Sequence, residues 1–261
     1  MQKFFTEDNF KKILDNLGVK KKDNLLVNSN TLNLMLKFKD KNLPNKILDT
    51  LIKRITSDGL LLFPTYNWQF CRGLKYDLVN TQSLTGTLSN LSLKSKNFTR
   101  SKNPIYSFSI FGKEKNKIAT LRHHSCFSLD SPFGYLIKNK GKNLFIDLDY
   151  KDAFTFVHVA EECVGVDYRY HKKFSGKYIG KNGLEKSESF QMYVREDTKA
   201  SSTLIDKKFD HKLLEKKALK TVRYGNITFS IVDIEIAYKL MVENIKNKKG
   251  LIRPLLNKIN N

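Results

Sequence analysis

Two side chains three residues apart, His158 and Glu161, form the pattern in this sequence that is best suited to proton transfer. A carboxylate beside an imidazole orients the ring and raises its basicity, so that the ring accepts a proton near neutral pH. Thr155 stands three residues earlier, where its hydroxyl could donate to a developing oxyanion. The same spacing also occurs as an ordinary pair on a helix surface. We take His158, Glu161 and Thr155 as the candidate catalytic residues.

The segment around this pair reverses the charge of the chain. Between Asp147 and Asp167 six acids accompany a single base, Lys151, in a chain of net charge +21. An acidic island of this kind is expected to receive a cationic amine. It follows a predicted strand, and ligands of layered α/β proteins gather at the loops that follow strands.

Other chemistries have weaker patterns in this sequence. His123-His124-Ser125-Cys126 offers metal ligands, but it matches neither a CxxC pair nor an HExxH helix, and we expect no metal. A Gly-x-Ser-x-Gly elbow, a P-loop and a Gly-x-Gly-x-x-Gly fingerprint are absent from the sequence. These absences disfavour a serine hydrolase, NTP hydrolysis and dinucleotide chemistry. A metal-dependent hydrolase stays open as a competing hypothesis.

The elements that must position the pair follow from apolar periodicity. Helices are predicted over 7–17, 44–55, 153–164, 210–219 and 233–247. Buried strands are predicted at 25–27 and 60–63, and further strands at 105–112, 143–148 and 228–232. Their alternation predicts an α/β fold, a layered mixed sheet flanked by helices. The Asn182-Gly183 pair predicts an antiparallel hairpin after residue 170. We expect a single domain over 1–261, with a β-rich subdomain at about 171–200.

Composition narrows the class of protein. The chain has 261 residues and no apolar run that approaches the roughly 20 residues of a membrane span. Its start lacks a signal-peptide pattern, and three scattered cysteines do not form a disulfide framework, so we expect a cytoplasmic protein without a membrane partner. Only eight of the 47 basic residues are Arg, which disfavours a nucleic-acid partner. A basic nucleic-acid-binding module remains the alternative from another class.

Several short motifs occur in an order that resembles the aminoglycoside 3-N-acetyltransferase family, enzymes that use acetyl-CoA and are distinct from the GNAT fold. The matching segments are Leu25-Leu-Val-Asn-Ser29, Gly59-Leu-Leu-Leu-Phe-Pro-Thr-Tyr-Asn67, Ser83-Leu-Thr-Gly86, Arg100-Ser-x-x-Pro104, Ser131-Pro132, Thr155-x-x-His158-x-x-Glu161 and Tyr168-Arg169. The resemblance covers about residues 8–245.

The resemblance implies roles for individual residues. It makes His158 the general base and Glu161 the group that orients it, with acetyl-CoA as cosubstrate and no metal. The residues that it implies around the CoA arm are Ser29, Asn30, Thr31, Arg100, Ser101 and Ser107. Those assigned to the acceptor are Asn67, Asp77, Glu162, Tyr168 and Arg169. An ion pair within the fold is an equally good interpretation of Arg100. The expected partners are acetyl-CoA and a small-molecule amine, and a homodimer is left open.

This sequence departs from the family pattern at four places. Phe154, Asn28, Asn103 and Asp167 replace the usual Asn, His, His and Pro. The resemblance implies that these positions lie on the acceptor side, so we expect acetyl-CoA to be retained as the acyl donor and the amine substrate to differ. Because a basic protein is a poor host for a polycation, we expect a nucleotide-linked amino sugar used in surface-glycan synthesis. An aminoglycoside, with antibiotic resistance as the outcome, is the alternative.

Overall fold

A computed structural model describes residues 4–256 of the chain. The helices of this part are α1 (Glu7–Leu17), α2 (Thr31–Phe38), α3 (Leu43–Ile55), α4 (Thr87–Lys94), α5 (Lys115–Ala119), α6 (Pro132–Lys138), α7 (Tyr150–Ala153), α8 (Phe156–Val164), α9 (Phe209–Glu215) and α10 (Ile234–Lys246). The strands are β1 (Asn24–Ser29), β2 (Leu60–Pro64), β3 (Tyr76–Asp77), β4 (Thr99–Arg100), β5 (Phe108–Gly112), β6 (Lys142–Ile146), β7 (Arg169–Ile179), β8 (Glu185–Arg195), β9 (Ala200–Ile205), β10 (Leu219–Tyr224), β11 (Ile227–Asp233) and β12 (Ile252–Leu256). None of the helices within 4–256 is both long and apolar enough to cross a bilayer.

A seven-stranded mixed sheet forms the centre of the molecule, in the order β10-β11-β6-β1-β2-β5-β4. β6, β1 and β2 run parallel, and the strands outside them pair antiparallel. Leu25, Leu26 and Val27 of β1 are all buried, as are all five residues of β2. Continuous apolar strands of this kind require cover on both faces of the sheet.

Helices supply that cover in two layers. α1 and α3 pack on one face, where Phe10, Leu14 and Leu51 join the buried side chains of the strands. α8 and α10 lie on the other face, with Val159 and Met241 in a second apolar cluster. The predicted layered α/β architecture is therefore confirmed. Helix α8, which carries His158, is anchored to the sheet by a continuous apolar layer.

Local sequence signals predict the bounds of helix α1 correctly and those of one strand only in part. Thr6 and Asn9 form a capping box at the start of α1, and Gly18 ends the helix with a φ of 77°. The strand predicted over 105–112 is shorter, because the backbone of Ile105 and Tyr106 donates to the side chain of Asn103 instead of to a neighbouring strand.

The helix predicted over 153–164 begins later, at Phe156, and the short helix α7 ends at Ala153 before it. In a continuous helix the carbonyl of Ala153 would accept from the N–H of Val157. Here that carbonyl accepts from the Asn28 side chain at 2.9 Å, while Val157 donates to Phe154. The end of β1 therefore sets the point at which α8 begins.

The predicted antiparallel segment after residue 170 is the hairpin of β7 and β8. Arg169 pairs with Arg195, and Ile179 pairs with Glu185 at the closed end. Strand β3 extends this hairpin into a small second sheet, and β9 pairs with β12 in a third. The hairpin brings the Arg169 side chain to His158, and β9 brings the Thr203 side chain to Glu161 from 42 positions downstream.

Candidate active site

His158 and Glu161 lie one turn apart on α8, as their spacing predicts. His158 Nδ1 lies 2.8 Å from Glu161 Oε2. Glu161 is completely buried, whereas 25% of the His158 side chain is exposed. The pair therefore consists of a partly accessible imidazole backed by a carboxylate that solvent does not reach.

Three further side chains hold the Glu161 carboxylate. The Tyr168 hydroxyl donates to Oε1 at 2.9 Å, and the Thr203 hydroxyl donates to the same oxygen. Arg169 Nε lies 2.7 Å from Oε2. Burial raises the pKa of the Glu161 carboxyl, but the contacts with His158, Arg169 and Thr203 outweigh it and hold the pKa below its ordinary value. Glu161 is therefore ionised at neutral pH, where it can stabilise a protonated His158.

The Arg169 guanidinium also approaches the imidazole. Its Nη2 lies 3.0 Å from His158 Nδ1, and its Nη1 donates to the carbonyl of Tyr193 at 3.2 Å. Nδ1 can either donate a proton to Glu161 or accept one from Arg169. Only the first tautomer leaves Nε2 unprotonated, and within the described residues Nε2 has no protein partner.

The imidazole opens into a cavity of about 510 Å³, a size typical of small-molecule sites. Its walls come from α8, from the β7–β8 hairpin, from β9 and from the loops before β5 and α6. The residues around it include Tyr106, Phe127, His158, Arg169, Tyr170, Lys172, Phe174, Met192, Tyr193, Arg195, Asp197 and Thr203. Aromatic rings form much of the surface near the imidazole, with Phe127 at 5.2 Å between ring centroids.

The predicted oxyanion donor Thr155 immediately precedes α8. It caps no backbone N–H, and its side chain lies beside the phenol of Tyr66. Burial raises the pKa of Tyr66 well above its ordinary value, which keeps that phenol protonated. Thr155 thus lies one turn before His158 and next to a phenol, and its catalytic role stays a prediction.

The junction where β1 ends and α2 begins carries three residues that are predicted to contact acetyl-CoA: Ser29, Asn30 and Thr31. Asn30 is exposed and its N–H donates to Ile146, which ties this junction to β6. The Thr31 hydroxyl and Asn28 Oδ1 are buried polar atoms that lack a hydrogen-bond partner within the described part of the chain. Such atoms need a partner, and a ligand amide is one chemical group that would supply it.

Arg100, Ser101 and Ser107 are buried among backbone groups. Arg100 donates to Ser107 Oγ at 3.1 Å and to the carbonyls of Thr65 and Thr81. Ser101 accepts from the N–H of Phe108. The arrangement is a set of hydrogen bonds to neutral groups, and within residues 4–256 Arg100 forms no ion pair. Arg100 borders a separate cavity of about 150 Å³. A contact of these residues with the CoA arm stays a prediction.

Three residues assigned to the acceptor have other partners. Asn67 donates to Gln82 O and accepts from Gln69 N, and Asp77 accepts from the N–H groups of the turn that follows it. Glu162 binds Ser125 Oγ at 2.8 Å and His171 Nε2 at 3.1 Å. None of these three lines the cavity of His158. The expected acidic island is therefore not presented to the cavity by Glu161 or Glu162.

Among residues 4–256 no group of three or more His, Cys, Asp or Glu side chains is arranged to hold a metal ion. The His123-His124-Ser-Cys126 run does not converge. His123 Nδ1 contacts the carbonyl of Ser125, and the Cys126 thiol is buried beside Asn103, where burial strongly raises its pKa.

A family model described as aminoglycoside 3-N-acetyltransferase matches residues 35–246 of the sequence. The chain belongs to this family. Its members are acetyl-CoA-dependent acyltransferases, so the predicted enzyme class and cosubstrate are confirmed at the level of the family. A comparison with curated proteins finds no match.

Solved structures share the fold at low sequence identity. AAC-IIIb in a binary complex with CoASH has a TM-score of 0.75 at 15% identity, covering 94% of this chain and 97% of that one. AAC-VIa bound to sisomicin has a TM-score of 0.78 at 15% identity, covering 94% and 99%. The YokD protein from Bacillus subtilis has a TM-score of 0.75 at 19% identity, covering 94% and 95%.

The acetyltransferase fold brings residues to His158 that sequence reasoning missed. Thr203 binds Glu161 from 42 positions away, and no local pattern marks it. Lys172 and Arg195 line the cavity from the two strands of the hairpin. Tyr168 and Arg169, which were assigned to the acceptor, contact Glu161, and Arg169 lines the cavity as well.

Proposed function

We propose that this protein transfers the acetyl group of acetyl-CoA to an amino group of an amino sugar, with His158 as general base. The observation that supports this proposal is the position of His158. Its Nδ1 is held by the buried Glu161, and its ring lines a cavity large enough for a sugar. Family membership supports the donor and the type of reaction.

The reaction is a direct transfer without a covalent enzyme intermediate. His158 donates Nδ1–H to Glu161, and Nε2 accepts a proton from the acceptor amine as its nitrogen attacks the thioester carbonyl. A C–N bond forms and the C–S bond breaks as the tetrahedral intermediate collapses. The imidazolium then returns its proton to the departing CoA thiolate, and the ionised Glu161 stabilises the cation in between.

Hydrogen-bond donors are needed to stabilise the oxyanion of that intermediate. Thr155, or backbone N–H groups at the start of α8, are the nearest candidates in the sequence, and one good donor is worth about 3–4 kcal/mol.

Two acceptors are supported to different degrees. The name of the family and the sisomicin-bound neighbour favour an aminoglycoside. A nucleotide-linked amino sugar rests on the net charge of +21 alone, and no comparison supports it. Both acceptors present an amine to the same imidazole.

The general base is tested by replacing His158 with Ala and measuring thiol release from acetyl-CoA with sisomicin, glucosamine and UDP-glucosamine. We expect turnover to fall by about 10²–10⁴ with whichever amine is acetylated, because the proton acceptor is lost. His171→Ala is the matched control, since His171 also contacts a glutamate but lies outside the cavity. Equal turnover in H158A and the wild type would exclude the mechanism.

A further inference from the structure

The charges that face the cavity of His158 are mainly positive. Arg169, Lys172 and Arg195 line it, and within residues 4–256 Asp197 is the single carboxylate in its lining. A site that receives a polycation is expected to have the opposite balance. The charge of the cavity therefore indicates the charge of the acceptor, which the fold alone does not.

The two nearest acids cannot reverse this balance. Glu161 has no exposed surface and is already in contact with Arg169, His158, Tyr168 and Thr203. The Glu162 side chain is 8% exposed, contacts Ser125 and His171, and does not line the cavity. Neither carboxylate is free to bind an ammonium group of a substrate.

The hairpin places positive charges close together without full compensation. Arg169 and Arg195 are directly opposite each other in the β7–β8 ladder, where like charges destabilise a sheet. Glu161 compensates Arg169 in the interior. Within residues 4–256 the carboxylate that pairs with Arg195 is Asp197 at 3.1 Å, and the Asp197 side chain is 86% exposed, so this pair is a weak surface contact.

Lys172 is the second cation of the hairpin that an anion could reach. It forms no ion pair with a carboxylate of residues 4–256, and its Nζ lies 5.4 Å from the centre of the Phe174 ring. Tyr170, Phe174 and Met192 provide apolar surface beside it, which suits the face of a sugar ring. The cavity therefore combines one general base, an apolar wall and two cations available to a ligand.

We propose that the acceptor is an amino sugar that carries an acidic group, a phosphate or a carboxylate, and that Lys172 and Arg195 bind this group while the amine faces His158. This inference rests on the proposed acetyl transfer and narrows its acceptor. Charge-assisted hydrogen bonds from Lys and Arg are the interactions that recognise such anions. A polycationic aminoglycoside would meet repulsion from the same two side chains.

Acetylation of four amines tests the proposal: glucosamine, glucosamine 6-phosphate, the carboxylate analogue 2-amino-2-deoxyglucuronic acid, and sisomicin. We expect kcat/KM for at least one of the two acidic sugars to exceed that for glucosamine by roughly 10-fold or more, because a charge-assisted contact is gained. The phosphate and the carboxylate sugars distinguish the two sources of negative charge. A higher kcat/KM for glucosamine or sisomicin than for both acidic sugars would overturn the proposal.

The double variant Lys172→Gln/Arg195→Gln tests whether these two side chains bind the acidic group of the acceptor. We expect it to lower kcat/KM for the preferred acidic sugar by roughly 10–100-fold, mainly through KM, while KM for acetyl-CoA stays within about twofold. Lys173→Gln/Arg223→Gln removes the same charge at two exposed positions outside the cavity and is the matched control. A selective rise in KM for acetyl-CoA would assign the two cations to the donor and overturn the inference.

Calorimetric binding separates this inference from the proposed reaction. In the presence of CoA, an acidic amino sugar should bind the wild type at least roughly 10-fold more tightly than glucosamine, and the double variant should lose that preference. Binding without acetylation of any amine would reject the proposed function and leave the anion site supported. Acetylation without a preference for the acidic sugars would reject the anion site alone.

Discussion

At the scale of single residues, the orientation of His158 is controlled by Glu161 on its own helix and by side chains from other elements that contact the pair. Glu161 receives hydrogen bonds from Tyr168 and Thr203, and the Arg169 guanidinium bridges the carboxylate and the imidazole. These contacts decide whether Nδ1 donates to Glu161 or accepts from Arg169. The spacing of His158 and Glu161 therefore identifies the pair, but it does not determine the tautomer.

Thr203→Val tests the part played by this outer contact, since the substitution removes the hydroxyl and keeps the shape. We expect kcat to fall about 10-fold with little change in KM, because a hydrogen bond to a charged group is worth about 1.5–3 kcal/mol. The Thr203 hydroxyl lowers the pKa of Glu161. Its removal raises that pKa, so activity on the acid side should be lost at a higher pH than in the wild type.

The dependence of kcat/KM on pH, measured for the wild type, T203V and T203S, tests this effect. T203S keeps a hydroxyl and should restore both the rate and the acid limb, while Thr221→Val on β10 is a control outside the cavity. A role confined to packing would leave the acid limb of T203V in its original place.

At the scale of secondary-structure elements, Arg100 joins segments that surround the sheet edge. It connects β4 to the carbonyls of Thr65 and Thr81 and to Ser107 before β5. Its guanidinium also lies 5.1 Å from the centre of the Tyr76 ring. Although burial lowers the pKa of Arg100, neutral oxygen atoms surround it, and this is the pattern of a structural link.

Arg100→Met should therefore lower the free energy of unfolding, with little effect on the binding of acetyl-CoA. We expect a loss of about 3 kcal/mol in the free energy of unfolding, because buried carbonyls lose a charged donor. Urea unfolding measures this loss, and Arg72→Met at an exposed position is the control. KM for acetyl-CoA should stay within about twofold, whereas a large rise in KM at unchanged stability would restore Arg100 to the cofactor site.

At the scale of the whole molecule, the net charge of +21 creates a field that attracts anions. We expect kcat/KM for acetyl-CoA to fall as ionic strength rises from about 0.01 to 0.15 M, which shortens the Debye length from about 30 to 8 Å. S-acetylpantetheine lacks the nucleotide and its phosphates, so it should show little dependence on salt. An equal dependence for the two thioesters would show that the field does not act on the CoA phosphates.

The amino-acid sequence by itself determined the features that depend on near neighbours along the chain. Helix α1 with its Thr6 cap, the buried strands β1 and β2, and the pairing of His158 with Glu161 all follow from periodicity, capping and spacing. The ordered motifs also indicated the family, which the match over residues 35–246 then established.

Tertiary structure decided the features that depend on distant contacts. A two-residue Asn182-Gly183 turn would place Arg169 opposite Glu196, but residues 180–184 form a longer loop that places it opposite Arg195. The Asn28 side chain donates to the carbonyl of Ala153, where the sequence predicts a continuous helix over 153–164. The Thr203 hydroxyl of β9 donates to Glu161. Local propensity cannot specify such contacts, because packing of the whole chain sets the strand register and the partner of each buried polar group.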